Sequence, residues 1–467
     1  MESREHIKLE TLKKELEKKD TPEKSTSPKP TEIAFLALND GTLVEMLYDA
    51  EKSETSFAVC SSGEVKIEKM FEHNGITYIP HSPNKNLLRN RVVLFPSAVG
   101  EYVSREDLAK QIKAFMRKYL AVSPFFEDVA SYYAMFTWIH DDFNELPYLR
   151  ALGDYGTGKS RFLQVIGSVC YRPIFTAGAT TISPIFRILE DFRGTLTLDE
   201  ADFEMSTTTA DIVKILNMGF MKDVPVLRSE ANNKKSYDAK SFNVFGPKLI
   251  ATRELYKDPA LESRMITEDM SLITKREDIA TNISDDFKRE ALLLRNKLLM
   301  FRFKEKGKHK LRPELSNPDI EPRLNQISLP LMSIIYDPKV LEELKRHFKE
   351  YNEKIKNDRT LSYRYQILEA ICELMDEGWT RITIKRITDK FNEGQRIADQ
   401  KSPKTMAFLI KRIMDLKTEK TRDGYALTED GYEKIEILRK RYKITKKDDD
   451  VNVVNNENIP EQESVPF

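Results

Sequence analysis

Gly153-Asp154-Tyr155-Gly156-Thr157-Gly158-Lys159-Ser160 has the residue types and spacing of a loop that cradles phosphate. Its three glycines let the backbone curl until successive N–H groups point at one anion, and the helical run Arg161 to Ile166 would aim its positive dipole end at the same place. The Lys159 ammonium would reach the β and γ phosphates, and the Ser160 hydroxyl stands where such loops ligate Mg²⁺. The octet therefore implies ATP and Mg²⁺ together. Downstream, Gly194-Thr195-Leu196-Thr197-Leu198-Asp199-Glu200 is an apolar strand ending in two carboxylates. Asp199 would hold Mg²⁺ through water and Glu200 would polarise an attacking water, a pairing that hydrolysis needs because the nucleophile must be aligned while the metal neutralises departing charge. After the short apolar strand Leu149 to Leu152, which leads into the octet, and the strand before Asp199, a third apolar strand, Pro247 to Ala251, ends at Thr252, the position for a group that senses the γ phosphate.

These residues need an α/β framework, and the surrounding sequence supplies its elements. Lys plus Arg equals Asp plus Glu at 75 each, so overall charge argues for no partner class and any basic surface must be local. Cys60, Cys170 and Cys372 are far apart and form no zinc or disulfide pattern, no apolar run reaches membrane-spanning length, and the amino terminus is charged. A cytoplasmic, intracellular setting is expected, with no membrane partner. Met1 to Pro30 reads as a charged tail and linker. Residues 31–102 carry short β-like runs (Ile33 to Leu38, Thr42 to Tyr48, Glu64 to Ile67, Ile76 to Ile79) separated by Asn-Asp-Gly, Ser-Ser-Gly and Asn-Gly turns, which predicts a small β domain that binds single strands or docks neighbours. Residues 103–146 are a helical connector whose aromatics, Phe125 to Trp138, belong to the core. The nucleotide-binding core then covers 147–270 and a helical region 271–345.

Inside the core, Val224 to Ser229 and Ser241 to Phe245 predict two strands around a polar tip. Lys234, Lys235 and Lys240 on that hairpin could touch a phosphate backbone; a solvated surface loop is the plain alternative. Residues 360–444 follow the order helix, short strand, helix, helix, two-stranded wing, which is a winged helix-turn-helix. Its third helix would present Lys404, Lys411 and Arg412, and its wing Arg422, to DNA, although such modules also dock proteins. The polar residues 445–467 read as a disordered tail.

In that order, Gly153 to Ser160, Leu196 to Glu200, the hairpin, Leu249 to Thr252 and Leu261 to Ile266 resemble the AAA+ ATPases. The likeness is to hexameric replicative helicases of the minichromosome-maintenance kind and their viral superfamily-3 relatives, and it covers about Pro147 to Tyr336. The resemblance implies an AAA+ P-loop core with a helical lid, in which the hairpin lines a channel that grips DNA. It further implies that Arg264, in Ala260-Leu261-Glu262-Ser263-Arg264, is an arginine finger completing the neighbouring subunit's site. The alternatives for Arg264 are a salt bridge to Glu254 or Glu262, and Arg253 competes for the finger role because it directly follows Thr252. Arg323, in the lid, resembles a second sensor that contacts ATP. Two departures stand out: Thr252 replaces the asparagine common at that position, and no zinc-binding cysteines accompany the amino-terminal β region.

The expectation is an ATP-dependent DNA helicase or translocase acting as a homo-oligomeric ring, a hexamer, in replication of a mobile or viral-type element. A DNA-binding regulatory or loader ATPase without unwinding activity is the alternative. A protein-remodelling ATPase or a non-catalytic nucleotide-binding scaffold would lack DNA stimulation or turnover, respectively.

Overall fold

In the computed structural model, residues 29–176, 180–199, 207–231, 237–256, 258–360, 363–393, 395, 400–442 and 444–445 are described. The chain divides into two compact units, the first ending at Phe348 and the second starting at Lys349.

The first unit begins with β1 (Thr31–Ile33), β2 (Phe35–Ala37), β3 (Leu43–Asp49), β4 (Glu54–Ser61), β5 (Glu64–Glu68), β6 (Phe71–His73) and β7 (Ile76–Pro80). Strands β2-β3-β4-β5 form an antiparallel meander, and β1-β7-β6 a smaller sheet. Asn74 and Gly75, both at positive φ (51° and 73°), make the tight turn between β6 and β7 that the Asn-Gly pair predicts. Strands β4 and β6 are not legible in sequence. In β4, Phe57 to Cys60 are all buried, so the alternation expected of a half-exposed strand is absent.

Buried charges lock this β region to the rest of the unit. Glu45 of β3 is buried, and its carboxylate accepts hydrogen bonds from the Tyr171 hydroxyl (2.7 Å), Arg172 Nη2 (2.9 Å) and Arg302 Nε (2.7 Å). Arg302 in turn forks Asp141 with two 3.0 Å bonds and donates to the Trp138 carbonyl, while Arg172 donates to the Phe192 carbonyl at 2.6 Å. Two guanidinium ions and two carboxylates thus balance one another, and the three that are buried, Arg172, Arg302 and Glu45, must be paired, since an unpaired buried charge is prohibitive. Arg302 lies on the long helix Asp285–Glu305, and Arg295 of the same helix is also buried, donating to the Phe95 and Ser168 carbonyls. The basic run Arg295 to Arg312 therefore contains two internal struts.

Next come β8 (Tyr148–Leu152), β9 (Ile174–Thr176), β10 (Leu196–Leu198), the hairpin β11 (Val226–Ala231) and β12 (Tyr237–Phe242), then β13 (Lys248–Thr252) and β14 (Met265–Asp269). Five of these form a parallel sheet in the order β14-β8-β13-β10-β9. A parallel sheet needs cover on its faces. The helix Lys159–Gly167 supplies Phe162, Val165 and Ile166, and the helix Pro124–Thr137 supplies Phe126, Tyr133 and Phe136, all buried.

The second unit contains the helices Tyr363–Asp376, Ile384–Asn392 and Pro403–Leu409, a π-turn over Ile410–Met414, the hairpin β15 (Thr418–Thr421) and β16 (Gly424–Leu427), and the helix Glu429–Tyr442. Its core joins Ile371, Ile387, Phe391, Met406, Ile410 and Ile435. The expected short strand at Ile382 to Ile384 reduces to a bridge of Thr383 to Ala426, because Thr383 caps the following helix by accepting from Arg386 N–H. Among the described residues no helix is long and apolar enough to cross a membrane.

One buried group sets an acid limit. His140 lies between the Tyr171 and Phe245 rings with Nδ1 donating to the Thr137 carbonyl at 2.8 Å, and burial pushes its pKa down to about 4. Folded His140 stays neutral while the unfolded chain takes up a proton below its ordinary pKa, so stability is full above about 6.5 and falls as pH drops toward 4. The loss across that window should be on the order of 3 kcal/mol, and His140→Gln should flatten the decline of Tm between pH 6.5 and 4; an unchanged slope would place the acid sensitivity elsewhere.

Candidate active site

The sheet order sets β8, β13 and β10 side by side, so their carboxyl ends bring together three segments distant in sequence. Leu152 pairs with Thr252, and Leu198 with Ile250. The Thr252 carbonyl accepts from Gly153 N–H at 3.1 Å, and Asp199 N–H donates to the Thr176 carbonyl at 3.3 Å. The loop, Thr252 and Asp199 therefore share one edge.

Within the loop, Gly158 caps the Lys159 helix in the left-handed region (φ 95°), and Gly153 stands at φ 154° where a Cβ would come within 2.9 Å of both Ser271 Oγ and Thr157 Oγ1. Thr157 Oγ1 donates to the Asp154 carbonyl (2.8 Å), and Lys159 Nζ donates to the carbonyls of Gly153 (2.5 Å) and Asp154 (2.7 Å). A cavity of about 300 Å³ opens here, lined by Tyr155, Gly156, Thr157, Gly158, Lys159, Ser160, Arg161, Asp199 and Arg253. Its wall combines helix-start N–H groups, cations and the hard oxygens of Ser160 and Asp199, a donor set suited to a polyphosphate with Mg²⁺. Thr252 is buried, and its hydroxyl has no hydrogen-bond partner among the described residues, an orphan donor next to that edge. Glu200, Lys234 and Lys235 lie outside the described residues. Lys240 is exposed on β12, its ammonium 5.1 Å from the Phe242 ring centroid.

Arg264 occupies the other edge. It precedes β14, where its carbonyl accepts from Tyr148 N–H at 3.0 Å, and because the strands are parallel it sits one strand length, about 16 Å, from its own phosphate loop. The residue is only 5% exposed, its guanidinium donating to Asn217 Oδ1 (2.9 Å) and the Ala260 carbonyl and lying 4.3 Å from the Phe220 ring. Burial and the neighbouring Arg323 charge hold its pKa below the usual arginine range. The alternative salt bridge to Glu262 is not made: that carboxylate is forked by Arg150, fully buried in β8, which also donates to Thr267. Arg323, expected to contact ATP, donates to the same Ala260 carbonyl at 3.2 Å, beside Arg264 and away from the loop of its own chain. The helix Pro322–Met332 begins there, which fixes it on that edge.

In the second unit Lys404, Lys411, Arg412 and Arg422 are exposed, and Met406 and Ile410 face its core. Sequence reading misses the roles of Arg150, Asn217 and Tyr155 with Arg253. The signal for Arg150 is present all the same: a lone charge within an apolar strand demands a buried partner.

No family model matches the chain, and no curated protein matches it. Among solved structures it is similar to the NrS-1 C-terminal region (10% identity, 82% of this chain and 96% of that one, TM-score 0.37). It is also similar to the SCCmec type IV Cch active helicase (11%, 87% and 80%, TM-score 0.39) and to the JCV helicase (11%, 57% and 64%, TM-score 0.23). At such distances the chemistry of the site rests on this chain's own residues.

The loop geometry makes a graded prediction. Gly153→Ala meets both a strained φ and two close oxygens, whereas a Cβ at Gly156 (φ 75°) meets open space and strain alone, worth about 1 kcal/mol. Calorimetric titration with ATP should show a larger loss of affinity for Gly153→Ala than for Gly156→Ala; equal losses would contradict this loop conformation.

Proposed function

We propose that this chain is an AAA+ ATPase that works as a ring-shaped DNA helicase or translocase in replication of a mobile or viral-type element. The observation that carries this reading is the separation of phosphate loop and arginines onto opposite edges of one parallel sheet. A phosphate loop with a carboxylate beside it is half of a hydrolytic site, and two adjacent arginines on the far edge are what a second copy's triphosphate would need. Head-to-tail repetition of that arrangement closes into a ring.

In this reading Lys159 and the loop N–H groups hold the β and γ phosphates, and Ser160 and Asp199 hold Mg²⁺. The metal, when bound, draws charge from the phosphate oxygens. Glu200 aligns and polarises the water, and the Thr252 hydroxyl reports the γ phosphate to β13. Arg264, with Arg323, completes the site from the adjacent subunit, which requires the guanidinium to leave Asn217 and the Ala260 carbonyl. The hairpin β11-β12 precedes β13 directly, so a shift of β13 on hydrolysis would move Lys234, Lys235 and Lys240 along bound DNA. The second unit, with its exposed Lys404, Lys411, Arg412 and Arg422, is read as a winged helix that adds a further DNA contact.

Purified protein should hydrolyse ATP faster with single-stranded DNA and gain molar mass with ATP. Glu200→Gln should cut kcat by about 10²-fold or more while nucleotide binding persists. The double variant Lys234→Ala/Lys235→Ala should keep hydrolysis and lose unwinding. DNA-indifferent hydrolysis by a monomer would overturn the reading, and DNA-stimulated hydrolysis without unwinding would favour the regulatory alternative.

A further inference from the structure

Arg253 competes in sequence for the role of finger to the neighbouring subunit, but its position is on its own chain's site. Strand β13 lies between β8, which carries the phosphate loop, and β10, which carries Asp199. The residue after β13 therefore projects between the cradle and the metal-binding carboxylate, where the terminal phosphate of a bound triphosphate would lie. The hydrogen bond from Gly153 N–H to the Thr252 carbonyl fixes this register one residue before Arg253. Arg253 lines the cavity together with Lys159 and Asp199, and its guanidinium lies 3.9 Å from the ring centroid of Tyr155 at the loop's tip. Tyr155 is 75% exposed, so the core does not require the ring there, and it lines the cavity together with Arg253.

We propose that Arg253 is a phosphate-binding residue acting within its own subunit, which reads the terminal phosphate and is aligned for it by stacking on Tyr155. The inference rests on the nucleotide-site reading above. Its physical basis is division of labour within the guanidinium: the face engages the aromatic ring, while the planar edge suits forked donation to phosphate oxygens. Lysine could supply the charge but neither the stack nor the fork. Holding the side chain against the loop also lowers the entropy lost when the nucleotide arrives. Position selects the γ phosphate over the inner ones, since Lys159 and the helix N–H groups already surround the β phosphate from the β8 side.

The test is calorimetric titration of the full-length protein with Mg·ATPγS and Mg·ADP. Arg253→Ala should weaken ATPγS about tenfold and leave ADP within about threefold of wild type, ADP binding serving as evidence of an intact fold. Arg253→Lys should fall between, Tyr155→Ala should shift the ATPγS-to-ADP ratio in the same direction by a smaller factor, and Tyr155→Phe should match wild type. Unchanged ATPγS affinity in Arg253→Ala, or equal loss of both nucleotides, would overturn the proposal. Lys159→Ala should lose both ligands; if it binds them as wild type does, the nucleotide-site reading itself falls, a result separate from any outcome at Arg253.

Discussion

The buried fork of Arg150 onto Glu262 ties β8 to the segment that leads into β14. Arg150 sits in β8, the strand that delivers the phosphate loop, and Glu262 ends the short helix that precedes Arg264. With Arg150 entirely out of water, breaking the pair by removing one partner would leave an uncompensated charge, typically costing about 3–5 kcal/mol. One strand thereby positions its own loop at one edge and the arginine segment at the other. Both positions follow from a single register, that of β8 against β14, in which Tyr148 N–H meets the Arg264 carbonyl and Leu152 pairs with Asp269.

A second buried network gives that sheet a rigid base. Glu45 from the amino-terminal β region meets Arg172 and Arg302, and Arg302 meets Asp141, so segments far apart in sequence are locked by paired charges of which three are buried. Such networks specify geometry more surely than they add stability. Here the consequence is that the β region cannot be lifted away without taking the carboxylate partner from Arg172 and one of two from Arg302. Motion useful to an ATP-driven cycle is better sought at Arg264 and Arg253, which contact carbonyl, amide and aromatic groups, than at the base.

How much is legible in sequence depends on distance along the chain. The octet Gly153 to Ser160 is contiguous, and Asp199 and Thr252 end apolar strands, so all three can be singled out as candidates from sequence. Their assembly at one edge then follows from parallel topology. Strands β8, β10 and β13, the hairpin between β10 and β13 and most amino-terminal strands are readable from periodicity and turns; β14 is not, because the sequence there reads only as a short helix followed by Arg264. β4 is not, because a strand buried at four successive positions loses alternation. The charge networks are not, because a count of lysines and arginines cannot tell Arg302 in the core from an exposed neighbour. The placement of Arg323 is not either: its helix is recognisable, but which edge of the sheet that helix starts against depends on tertiary packing.

In the proposed ring each hydrolytic site is built from two chains. Lys159→Ala and Arg264→Ala should each abolish ATP hydrolysis when assayed alone, since one removes the loop's cation and the other the arginine supplied to the neighbour. Mixed in equal amounts, they should recover activity, because an Arg264→Ala subunit keeps an intact loop that a Lys159→Ala neighbour can complete; random assembly makes about a quarter of interfaces whole. Steady-state ATPase assays of the mixture are therefore the direct measurement. Recovery toward a quarter of the wild-type rate is the predicted result, and full activity of Arg264→Ala alone, or a mixture as inactive as its components, would contradict the shared site.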